Sequence, residues 1–65
     1  MDAGELVAWR AGLGLTQQAA AEALGRSVRQ YQAYEAGLYA VPLTVALAAS
    51  YVGLVRELRR LVGTG

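Results

Sequence analysis

The chain has 65 residues, 55% of them apolar, a net charge of +1, and neither cysteine nor histidine. So short a chain buries only about 60% of its unfolded surface, and its stability is correspondingly small. The composition excludes disulfide staples and the usual zinc ligands, and it lacks the strong positive charge by which many proteins hold nucleic acid.

The elements follow in chain order, and nothing reads as a strand. Asp2 with Glu5 three residues later has the form of a capping box. A first helix is therefore expected from about Ala3 to Ala11, with Leu6, Trp9, Arg10 and Leu13 near its inner side. The acids in "MDAGELVAWR" stand where a secretory signal would need a basic region. "GLGL" breaks the helix. Thr16 suits an N-cap, and a second helix should span about Gln17 to Leu24, its alanines permitting close approach by a neighbour. Gly25 ends it.

Ser27 with Gln30 repeats the capping-box pattern, so a third helix should run from about Val28 to Ala36, with Gly37 as its stop. At about 100° per residue, Tyr31, Tyr34 and Leu38 fall on one arc and read as a core anchor. Val28, Arg29, Gln32, Ala33 and Ala36 fall on the other. That second face mixes apolar and hydrogen-bonding groups, which suits the major groove of DNA. There arginine gives two bonds to guanine, glutamine two to adenine, and small apolar groups meet the thymine methyl. Gln17 and Gln18 open a helix whose free N–H groups favour phosphate, and a short glycine-containing turn between two such helices has helix-turn-helix spacing.

Pro42 suits the first turn of a fourth helix. Along "VPLTVALAASYVGLVRELRRLV", Val45, Ala48, Val52, Val55 and Val62 trace one apolar line, and Leu47, Leu54, Leu58 and Leu61 trace another. Either Gly53 separates two short helices, or one long helix runs to about Val62. Two apolar lines are more than one small core needs, and the surplus reads as a dimer surface, the alternative being that both lines cover the first three helices. The uncharged run from Ala36 to Val55 is interrupted by proline, glycines and polar residues, and reads as a buried helix rather than a membrane span.

The stretch "LTQQAAAEALGRSVRQYQAYEAG", Leu15 to Gly37, resembles the helix-turn-helix of the Cro/C1-type repressors, the XRE family. Leu15, Thr16, Gln17, Ala20, Ala21, Leu24, Gly25, Ser27, Tyr31, Tyr34, Glu35 and Gly37 match the family's pattern. The likeness extends backward through "AWRAGLG" and forward through "VPLTVALA".

It implies an all-α fold: one small bundle of four or five helices over residues 1–65, of the lambda-repressor-like kind. The helix-turn-helix would occupy 16–36, with a helical, dimer-forming segment at 42–62. It implies a sequence-specific transcriptional regulator, a repressor, binding double-stranded DNA as a homodimer on a two-fold operator. The setting would be the cytoplasm of a bacterial or phage-infected cell. Val28, Arg29, Gln32 and Ala33 would face base edges. Thr16, Gln17, Gln18, Arg26, Ser27 and Tyr39 would approach phosphates, and Arg10 would pair with Glu35.

No cofactor, metal or small-molecule ligand is expected. An enzyme is the weakest reading, since the five acids show no paired arrangement and histidine, cysteine and lysine are absent. The chain departs from the family in placing Val28, Ala33 and Ala36 where many members carry polar or basic residues. Only Arg26 and Arg29 remain to supply charge at the groove. The alternative is a protein–protein interaction module whose DNA face has decayed.

Overall fold

The computed structural model describes residues 1–63. Four helices follow one another: α1 Ala3–Gly12, α2 Gln17–Ala23, α3 Val28–Glu35 and α4 Leu43–Val62. The N-termini obey local chemistry. Asp2 and Glu5 form the reciprocal capping box of α1, Thr16 Oγ1 accepts from the Ala19 amide, and Ser27 Oγ accepts from the Gln30 amide. Such caps satisfy amides that have no partner within the helix. At Ser27 only half of the expected box forms, since Gln30 makes no side-chain bond back to the cap.

The C-termini are equally local. After α2 the Gly25 amide reaches Glu22 O and the Arg26 amide reaches Ala21 O. After α3 the Gly37 amide reaches Tyr34 O and the Leu38 amide reaches Ala33 O. Both are Schellman turns, which need a residue with positive φ just past the cap. Gly25 and Gly37 supply it, at φ 69 and 75. The turn at Gly37 also overturns one expectation. Leu38 does not continue the tyrosine arc, because the backbone has already left the helix, and its side chain is 72% exposed.

The core is Leu6, Ala20, Ala21, Leu24, Tyr31, Tyr34, Val45 and Ala49, with Trp9, Leu15, Val41 and Ala48 packed against it. Ala20 and Ala21 bring no bulk of their own, so α2 can sit close to the tyrosines of α3. Trp9 fastens α1 to α4 by donating its indole N–H to Ala49 O at 2.8 Å.

α4 is one continuous helix of 20 residues, and Gly53 does not interrupt it. Its Val45 and Ala49 are buried while Leu47, Leu54, Leu58 and Leu61 are exposed. Of the two apolar lines, only the first part of one covers the other helices. Val62, at the far end of that line, is exposed as well. Among the described residues no helix is long and apolar enough to cross a membrane.

Candidate nucleic-acid interface

α2, the turn through Gly25 and α3 hold one face of the molecule open. α3 buries Tyr31 and Tyr34, which fixes its rotation, and Val28, Arg29 and Gln32 are left exposed with Ala33 half-buried. Ser27, Arg29, Gln30, Gln32, Ala33, Leu38 and Tyr39 line an open concavity of about 630 Å³ between this helix and the loop that follows it. Reading the sequence alone placed Gln30 as a cap and Leu38 in the core. The structure puts both on this wall. The Schellman turn at Gly37 was the signal that could have moved Leu38 there.

Beneath the face lies a polar chain that crosses three helices. Arg10 of α1 donates Nε to Glu35 Oε2 at 2.6 Å and Nη2 to Oε1 at 3.2 Å, while its Nη1 donates to Leu15 O at 3.1 Å. Gln17, the first residue of α2, donates its amide to Glu35 Oε1 at 2.9 Å. Gln32 of α3 in turn donates to Gln17 Oε1 at 3.1 Å.

The Glu35 side chain is only 7% exposed. Burial opposes its charge, but Arg10, the neighbouring Tyr31 hydroxyl and Gln17 together outweigh that and hold its carboxyl below the usual range. The hydrogen bond to Glu35 raises Arg10 further. The Tyr31 hydroxyl is buried beside the pair, close to the Glu35 carboxylate but outside good hydrogen-bonding geometry, and burial first and the neighbouring carboxylate second push its pKa well above the ordinary phenol value.

The remaining candidate residues scatter more. Thr16 spends its hydroxyl on the α2 cap, and Gln18 faces Glu22 across 3.5 Å on an exposed surface. Arg26 is drawn toward the start of α4, its Nη2 3.4 Å from Thr44 Oγ1. Tyr39 is exposed on the loop, and Ser27 sits at the tip of α3. Arg29 is thus the one arginine on the exposed arc of α3 itself.

Among the described residues no cluster of three or more histidines, cysteines or acids is placed to hold a metal. What the arrangement offers is a surface of amide and guanidinium groups joined by hydrogen bonds.

No curated protein and no solved structure matches the chain. A family model described as helix-turn-helix matches residues 6–50, from the buried Leu6 of α1 through the core-facing half of α4. The capped α2, the Gly25 turn and the tyrosine-anchored α3 lie within that span, and the chain belongs to the XRE (Cro/C1-type) helix-turn-helix family of DNA-binding transcriptional regulators.

Proposed function

We propose that α3 enters the major groove of an operator and reads it with Val28, Arg29, Gln32 and Ala33. The observation that carries this reading is the hydrogen-bonded chain from Arg10 through Glu35 and Gln17 to Gln32. An amide has two N–H donors and two acceptor lone pairs. Gln32 spends one donor on Gln17 and keeps its second N–H and its oxygen, the pair needed for a two-bond contact with adenine. Gln17 spends one donor on Glu35 and keeps one for a phosphate.

Both side chains are held before DNA arrives, which lowers the ordering cost of the complex. Arg29, beside them, is exposed and makes no side-chain hydrogen bond or ion pair among the described residues, which leaves it available to guanine. Thr16, Gln18, Arg26, Ser27 and Tyr39 flank this core and take the phosphate contacts. Two copies bind together on a two-fold site, with half-sites about one helical turn apart. Occupying the operator represses transcription by occlusion.

Selection of bound sequences from a random DNA pool tests the reading. A two-fold motif is expected, and Arg29→Ala should weaken binding to it by about 1–3 kcal/mol and relax one base position. Retention of both affinity and preference by that variant would remove α3 from the groove. A second reading, an interaction module on the same fold, is favoured by the sparse charge, since only Arg26 and Arg29 are near the face. Recovery of no motif would select it.

A further inference from the structure

Which way round a side-chain amide lies is set by its partners, because its oxygen and its NH2 group are nearly alike in size and shape. In the polar chain beneath the exposed face of α3, the first partner leaves no choice. Glu35 is paired with Arg10, and an ionised carboxylate accepts hydrogen bonds but never donates them. Gln17 must therefore turn its NH2 group inward, to Glu35 Oε1 at 2.9 Å. Its oxygen then faces outward and accepts from the NH2 group of Gln32 at 3.1 Å. One amide orients the next. Gln32, exposed on α3, presents its oxygen and its second N–H to the surface.

A donor in place of the Glu35 carboxylate would satisfy the same chain in reverse. Gln17 would turn its oxygen inward and its NH2 group toward Gln32. The Gln32 oxygen would then be occupied and both its N–H groups free. These two arrangements suit different bases. An oxygen beside an N–H matches adenine, whose N6 donates and whose N7 accepts; two N–H groups match guanine, whose N7 and O6 both accept.

We propose that Glu35 is a positioning residue for base readout: its charge, passed on through Gln17, makes Gln32 select adenine over guanine. The inference rests on the reading above that Gln32 meets a base, and it assigns the choice of base to a side chain beneath the face. Only 7% of the Glu35 side chain is exposed. Arg10 holds that carboxylate from the other side through Nε and Nη2, and its own Nη1 is tied to Leu15 O. The carboxylate therefore cannot swing away to let the amides turn.

Glu35→Gln is the informative substitution. Arg10 can only donate, so the introduced amide keeps its oxygen on the shortest bond, the 2.6 Å contact with Arg10 Nε. Its NH2 group then takes the place of Oε1, facing Gln17, and the chain reverses.

The test compares two DNA probes that differ only at the base pair read by Gln32, which is the position of the selected motif whose preference Gln32→Ala abolishes. The wild-type chain should favour adenine there. Glu35→Gln should cut the adenine-to-guanine affinity ratio by about tenfold and leave preference at every other position unchanged. Loss of folded protein alone weakens both probes equally and does not move this ratio. Gln17→Met, which breaks the chain but leaves the Arg10 pair in place, should also lower the ratio, and it decides the matter if Glu35→Gln does not fold. In a Gln32→Ala background neither substitution should change the ratio further.

An unchanged ratio in Glu35→Gln or Gln17→Met, or a change that persists without Gln32, would overturn the role of Glu35 while the motif keeps the operator reading intact. A motif in which Gln32→Ala relaxes no position would do the same. Recovery of no motif at all would remove both.

Discussion

Replacing Glu35 with glutamine keeps the shape of the side chain and removes its charge. In the native protein that carboxylate accepts from Arg10 twice, at 2.6 and 3.2 Å, and from Gln17 at 2.9 Å. Breaking a buried ion pair from one side costs about 3–5 kcal/mol. Two features reduce the figure here: the glutamine oxygen still accepts one of the three bonds, and solvent reaches the pair through its arginine end, 23% exposed.

About 2 kcal/mol is therefore expected for Glu35→Gln at neutral pH, against a total of ~3–10 kcal/mol for a chain of this size. In a thermal melt followed by circular dichroism, that lowers Tm by about 8–16 °C. The pH dependence makes the argument specific. A carboxyl held below its usual value stabilises the fold above about pH 4.5 and loses that contribution as pH falls through its folded-state value. The gap between wild type and Glu35→Gln should accordingly close under acid, because the wild-type side chain then carries a proton as well. A gap of less than about 0.5 kcal/mol at pH 7, or one unchanged in acid, would refute the idea that the charge of Glu35 anchors the three helices.

Other outcomes follow from the same structure. Tyr31→Phe removes a buried hydroxyl that has no partner, so chemical denaturation should show a change within ~0.5 kcal/mol or a gain; a loss above ~1 kcal/mol would mean that the hydroxyl is bonded to its neighbours after all. Gly25→Ala meets open space but takes a φ of 69, and should cost about 1–2 kcal/mol from backbone strain alone. Gly12→Ala, also facing open space but inside α1, should stabilise by up to ~1 kcal/mol, and the opposite signs at two uncrowded glycines separate conformation from packing. If Arg26 and Arg29 of two subunits make the only ion pairs with operator phosphates or bases, log K against log salt should have a slope of about −4; a slope near −8 would bring the α4 arginines onto flanking DNA.

Much of this protein is written within a turn or two of sequence. The N-caps at Asp2, Thr16 and Ser27 and the left-handed glycines at 25 and 37 act over three to five residues, and they set the helix ends wherever those residues sit. The alternation of tyrosine with small and polar groups likewise fixed which side of α3 would be buried, and the alanines of α2 foretold its close packing. The match to the family pattern rests on these same positions.

What only tertiary structure decided depends on groups far apart in the chain. Leu38 fits the wheel of α3, yet the Schellman turn takes it off the helix before it can reach the core. Gln17 reads as a phosphate ligand on its own, and only the approach of Glu35, 18 residues away, shows it as the joint between the ion pair and Gln32. One long α4 or two short helices was open in the sequence; in the structure α4 runs through Gly53 unbroken, with Trp9, 40 residues from its partner Ala49, lying against it there. The two apolar lines of α4, Val45 to Val62 and Leu47 to Leu61, are nearly equal in apolarity as letters. They differ in exposure because the first three helices are long enough to cover only one of them, and only for the first half of its length.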